Sequence, residues 1–236
     1  MVLLGTFINT IAVAAGSSLG LLTGKRIGSK AQTNIVIIFG LFTIAMSIGM
    51  IKDMNNPINI FLSLVIGALT GEYLGLHKKF EKFASRFDVE GEQSVGGSFI
   101  KATMLFCVGG MTLIGCMNEG LDGDYNLIMV KSIMDLISSF FLASALGRGV
   151  LFSALGILGF QGALTLGFYF VGSMAFSFNG ALIMSPELIT DLTATSGVLL
   201  LALGLDLTGL KKFQMLDLVP ALTVLPIIHI IHTQLF

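Results

Sequence analysis

The chain has 236 residues, of which 54% are hydrophobic and only 11% charged, with a mean hydropathy of +0.92 and a formal net charge of -1. That is about half the charge of an ordinary soluble domain, too little to coat a water-facing surface, so the composition excludes a soluble globular fold. The basic residues lie between apolar runs rather than on one face, which argues against nucleic acid as a partner.

A helix needs about 20 apolar residues to cross roughly 30 Å of hydrocarbon. Eight such runs are found, at 2–24, 33–52, 57–76, 99–118, 126–146, 149–172, 189–209 and 215–234. The expected fold is therefore an all-α polytopic membrane protein, a single transmembrane domain over 1–236 whose principal partner is the lipid bilayer. The first run lacks a basic leader and a convincing cleavage site, so it is read as a retained span.

In the first span, Ala12, Gly16, Gly20 and Gly24 share one helical face, and Asn9 is a polar residue at membrane depth. The third span repeats the pattern with Ser63, Gly67, Gly71 and Gly75. Small residues every four positions let backbones approach closely, so these two spans are expected to pack together, and such faces would also allow a homo-oligomer. The loop over 77–98 contains "LHKKFEKFASRF", which places Phe80, Phe83 and Phe87 on one face among bases. That pattern suits either a helix lying on the inner headgroups or a solvated helix packed on the protein.

The fourth span carries Gly109-Gly110 within "FCVGGMTLIG". Glycine for close packing is the favoured reading there, and a break exposing backbone to a ligand is the alternative. Cys107 and Cys116, nine residues apart, are expected to be packing residues on that one helix. The acidic loop "NEGLDGDYN" lacks calcium-loop spacing and reads as a turn with caps.

The fifth span poses the sharpest question. Lys131 and Asp135 stand four residues apart on one helical face, within reach of a salt bridge, and Ser138 and Ser139 continue the polar stripe. Lys131 is near enough to the outer end to snorkel, whereas Asp135 lies near mid-membrane and must be paired, protonated or hydrated. Gln161 in the sixth span joins Asn9 as an amide able to donate and accept. Glu72 and Asp206, near inner span ends, are expected to pair with loop lysines.

Between spans six and seven, the stretch 173–190 is apolar enough to hold a re-entrant or surface piece. Within it, Ser185-Pro186-Glu187 reads as a helix start. His229 and His232 near the end of the last span make an incomplete metal set, so a helix-end role is expected and no metal site is assigned. No catalytic motif is recognisable, and neither an enzyme activity nor a cofactor is expected.

Eleven of the 13 Lys and Arg residues fall in odd-numbered loops, which predicts those loops in the cytoplasm and both termini outside an inner membrane. Faint echoes pair "GSSLG" (16–20) with "GALTL" (162–166), and 39–50 with 196–207. They suggest an inverted three-helix repeat relating spans 1–3 to spans 6–8.

The motifs "LFCVGGM", "DGDYNLIMVKSIMD" and "FQG", within a similarity running from "GTFINTIAVAAGSSLGLLTGKRIG" to near the C-terminus, resemble the YqgA/YdfK-like family of bacterial integral membrane proteins (domain of unknown function 554). The resemblance implies a bacterial membrane location and leaves the solute open. It carries Gly110, Met111, Lys131, Ser132, Asp135 and Gln161 over as candidate positions. Together with Asn9, Gly109 and Ser138, these are the candidate binding residues of an expected secondary transporter for a small polar or ionic solute. An ion or small-solute channel, or a non-transporting scaffold or sensor, is the alternative.

Overall fold

The computed structural model describes residues 2–24, 28–84, 94–175 and 185–235, and among them every regular element is helical. The helices are α1 (Leu4–Gly24), α2 (Ser29–Ile51), α3 (Pro57–Leu74), α4 (Leu76–Ala84), α5 (Val95–Cys107), α6 (Gly110–Asp122), α7 (Asn126–Leu146), α8 (Gly149–Ala175), α9 (Pro186–Leu207), α10 (Met215–Leu218) and α11 (Ala221–Leu235). Among the described residues, seven segments are long and apolar enough to cross a membrane: α1, α2, α3, α7, α8, α9 and the α10–α11 pair. An eighth is obtained when α5 and α6, bent by 61°, count as one span.

The spans sort by what their small residues touch. A Cβ added at Gly16 would lie 2.2 Å from the Leu136 carbonyl oxygen, and one at Gly20 would lie 2.1 Å from that of Phe140. The two backbones are therefore in direct contact, and α1–α7 is the most extensive helix pair. The glycine face of α3 goes elsewhere: Gly67 abuts Ala221 and Gly71 abuts Asp217. The expected pairing of spans one and three is thus corrected. Each glycine face seats a different helix of the same chain, which also removes the reason for expecting a homo-oligomer from them.

Partner order along each pair gives its direction. Gly16, Gly20 and Gly24 meet residues 136, 140 and 144 in rising order, so α1 and α7 run parallel. Gly40 meets Gly204 and Thr208 while Ser47 and Met50 meet Gly197, so α2 and α9 are antiparallel. Along α8, Gly149 meets residues 95–99, Gly156 meets Thr103, Cys116 meets Gln161 and Gly120 meets Thr165. Both halves of the bent pair run the same way along α8. A re-entrant hairpin would reverse that order, so α5–α6 is a broken crossing. These senses are those of eight alternating spans.

The break itself falls at Val108–Gly109. A Cβ at Gly109 would come no closer than 3.9 Å to anything, so close packing is not what glycine does there, and the broken-helix alternative holds. Cys107 and Cys116 accordingly end up buried on two helices rather than one.

Several local expectations are met. Ser185 caps α9 by accepting from the Leu188 amide, with Pro186 at the first position and Glu187 in the first turn. Lys101 pairs with Asp206 at 3.2 Å as expected, whereas Glu72 is exposed and has no lysine partner among the described residues, which corrects that expectation. Asp124 accepts from the Asn126 amide at the start of α7, and Gly123 ends α6 with a left-handed φ of 71°. His229 meets the Ser185 hydroxyl, and His232 meets the Asn56 and Asn59 amides. The 77–98 stretch begins with α4, whose His77 amide donates to buried Asp217. The side chains of Phe80 and Phe83, residue Phe87, and residues 176–184 of the expected re-entrant piece lie outside the described residues.

Candidate functional site

The fifth span places Asp135 nine residues into α7, about 13 Å along the axis and close to mid-membrane. Lys131, one turn earlier, donates to Asp135 Oδ2, and both side chains are buried. The snorkelling expectation for Lys131 is corrected: its ammonium turns inward. A carboxylate at this depth offers it more than a distant headgroup layer can, because mutual attraction strengthens where water is excluded.

Behind the pair lies a chain of buried polar groups. Asn9 Nδ2 donates to Asp135 Oδ2 at 3.0 Å and to Gln161 Oε1 at 2.9 Å. Gln161 Nε2 donates to Thr6 Oγ1 at 3.3 Å. Thr6 and Thr165 hydroxyls each lie 3.5 Å from Glu119 Oε2, and Glu119 Oε1 accepts from the Gly5 amide at 2.6 Å. The run from Lys131 to Glu119 therefore ties α7, α1, α8 and α6 together through contiguous donors and acceptors. Its satisfaction is what makes so many polar groups tolerable at 0–7% exposure. One atom of the run breaks the rule: Asn9 Oδ1 is buried without a partner among the described residues. The amide cannot be turned round to cure this, since its oxygen would then face the Asp135 carboxylate.

In front of the pair is a cavity of about 160 Å³. Lys131, Asp135 and Ser138 form its polar end, and Gly109 and Met111 bring the helix break to its edge. Phe39, Phe42, Met46 and Met50 of α2 supply apolar lining around Thr43, and Met134 and Phe106 add to it. Phe42, Met46 and Met134 are 52%, 42% and 41% exposed, so the cavity opens sideways, between α2 and α7, onto the lipid-facing surface.

The structure thus divides the candidate residues into three groups. Lys131, Asp135, Ser138, Gly109 and Met111 meet at the cavity. Asn9 and Gln161 stand behind Asp135 as its support. Ser132 is buried but spends its hydroxyl on its own helix, donating to the Ile128 carbonyl, and Gly110 opens α6. Glu119 was missed by the acidic-turn reading of "NEGLDGDYN". Its signal was present, since Cys116, Glu119 and Gly120 share the i, i+3, i+4 face that packs on α8. The α2 wall left no sequence signal.

Comparison with known proteins places this arrangement among relatives without assigned activity. The family described as "Protein of unknown function (DUF554)" matches residues 4–230. The chain is 32% identical over 233 residues to "Uncharacterized membrane protein YdfK" of Bacillus subtilis (strain 168), covering 97% of this chain and 96% of that relative. It is 31% identical over 230 residues to "Uncharacterized protein YqgA" of Escherichia coli (strain K12), covering 93% of each. No solved structure matches the chain.

Proposed function

The chain belongs to the DUF554 family of proteins of unknown function, and we propose that it works as a secondary transporter of a small solute, with Asp135 as the coupling carboxylate and Lys131 as its partner. The observation that carries this is the cavity ending on a buried, oppositely charged pair at mid-membrane, beside a broken helix. Intramembrane charges are costly and mark solute or ion pathways, and broken helices recur where transporters bind their solutes. Neutralising Asp135 with a proton or a cation frees Lys131 for an anionic group, and release of that ligand restores the bridge.

The helix pairings support the inverted repeat on which alternating access would rest. Exchange spans 1, 2, 3 and 4 with spans 6, 7, 8 and 5. The 1–5 contact then becomes the 6–4 contact, and the 2–7, 3–8, 1–6 and 4–5 contacts return to themselves. Each exchanged pair of spans, one odd and one even, runs in opposite directions. The distribution of bases adds an orientation, with odd loops cytoplasmic and both termini outside the inner membrane.

The test is flux. Protein in sealed vesicles loaded with a pH-sensitive dye is exposed to ions, amino acids and small carboxylates. Saturable flux that follows an ion gradient is expected for at least one solute, and Asp135→Asn is expected to fold but lose it. Coupled flux undiminished in Asp135→Asn refutes the role of the carboxylate. Flux that never saturates replaces the transporter with a channel.

A further inference from the structure

The cavity is poorly suited to a sugar or an amino acid, because each polar group of such a solute would need a partner, and beyond Lys131, Asp135 and Ser138 the lining offers just the Thr43 hydroxyl, whose proton is already donated to the Phe39 carbonyl. The rest of its lining is mostly phenylalanine, methionine and leucine. Its volume, about 160 Å³, is close to the roughly 150 Å³ of a dry cavity that accommodates benzene. Its mouth faces lipid, flanked by exposed Phe42, Met46 and Met134. The ligand that fits has a small apolar body, one polar head, and a form that dissolves in the bilayer.

The polar end selects the head. Asp135 Oδ2 receives both Lys131 and Asn9, and no hydrogen bond among the described residues ends on Oδ1. The Ser138 hydroxyl at the cavity likewise has no partner among them. The N-terminal end of α6, with Gly109 and Met111 at the cavity edge, offers amides that helical bonds do not use. A free acceptor, a cation, a hydroxyl and a helix N-terminus together match a carboxylic acid. An amine would find Asp135 already holding Lys131 and would add a second buried cation.

We propose that the cavity binds a small apolar monocarboxylic acid, which reaches Lys131 and Asp135 sideways from the bilayer as the neutral acid. This rests on the transporter reading and narrows its solute. The acid's O–H donates to Asp135 Oδ1 while its carbonyl oxygen accepts from Lys131 or Ser138. Its proton then passes to Asp135, leaving the ligand carboxylate on Lys131 and the α6 N-terminus. One proton moves, none is lost, and the site keeps its net charge throughout. The same proton and anion leave together, so the acid carries its own coupling ion.

The experiment is a melting assay on the purified full chain. Buried Cys107 and Cys116 serve as reporters, because a maleimide dye reacts with them once they are exposed by unfolding. Benzoate and hexanoate are expected to raise the Tm by about 5–10 °C at a hundredfold excess over Kd. The shift should be larger at pH 5.5 than at 7.5, since more acid is neutral there. Acetate, hexylamine, glycine and benzamide should give no comparable shift, and Met46→Trp, which fills the mouth, should abolish that of benzoate. Radiolabelled benzoate bound by wild type and displaced by hexanoate gives a second readout should Met46→Trp fail to fold.

A shift with hexylamine or glycine but not with benzoate overturns the acid while leaving the transporter reading in place. Equal shifts with benzamide and benzoate overturn the role of the charged pair in recognition. No shift and no labelled benzoate bound overturn the proposal outright, and benzoate binding undiminished in a folded Met46→Trp moves the site elsewhere and does the same.

Discussion

The Lys131–Asp135 bridge makes an asymmetric prediction, because its two ends are not equally supported. Asp135 has a second partner in Asn9, whereas among the described residues the only polar group bonded to Lys131 is Asp135. Removing one member of a buried pair costs about 3–5 kcal/mol. Asp135→Leu should reach that range, since it strands an ammonium at mid-membrane and leaves Asn9 with Gln161 alone. Lys131→Met leaves a carboxylate that still accepts from the Asn9 amide, so its loss should fall at or below about 3 kcal/mol. The double variant, with neither charge and similar volume, should recover most of the loss, giving a coupling energy of at least about 2 kcal/mol. For a chain of this size each kcal/mol moves Tm by roughly 2–4 °C, so the single variants separate readily in a melting assay. Additive losses would refute the reasoning, as would Lys131→Met being the costlier change. The same variants separate structure from function: a double variant that melts like wild type yet moves no solute assigns the charges to transport, and one that regains both assigns them to packing.

Gly20→Ala should cost at least about 1–3 kcal/mol by forcing α1 off the Phe140 carbonyl, while Gly49→Ala and Gly159→Ala, with nothing within 4 Å, should be neutral or gain up to about 1 kcal/mol. Denaturation midpoints of the three variants check this. Glu119→Leu strands the Gly5 amide and should lose about 1–3 kcal/mol in Tm measurements, whereas Glu119→Gln, which keeps an acceptor there, should lose less. Lys101→Met should cost under about 1 kcal/mol, its partly exposed pair with Asp206 being screened by solvent, and raised salt should shrink even that difference. In a cysteine-free background, Asp124→Cys should label from outside intact cells and Lys212→Cys only after the inner face is opened; the reverse pattern would invert the orientation.

How much of this could be read in the sequence follows from which residues differ from lipid. Helix extents were legible because a run such as 126–146 is bounded by residues that cannot stay in hydrocarbon, and α7 spans those residues. The Lys131–Asp135 contact was legible because four residues is one helical turn. The partners of the glycine faces were not: the spacing of Gly16, Gly20 and Gly24 says that a backbone comes close, but α7 lies more than a hundred residues away and nothing in the spacing selects it over α3. Glu119 was hidden for a similar reason. It sits beside Asp122 and Asp124, whose side of the loop is exposed, and the groups that receive it are Gly5, Thr6 and Thr165.

The cavity wall was hidden more thoroughly, and the cause is particular to membranes. In a soluble protein, an apolar residue on an outward helix face would stand out against polar neighbours. In a bilayer, Phe42 and Met46 beside the cavity and Ile38 and Ile48 elsewhere on the outer surface of α2 face equally apolar surroundings, and all four are exposed. Composition cannot tell a wall from a lipid contact when both solvents are hydrocarbon. The polar end of such a site can be found from sequence, because charge is expensive there. The apolar part, which decides what kind of molecule is accepted, emerges only when α2 is laid against α7.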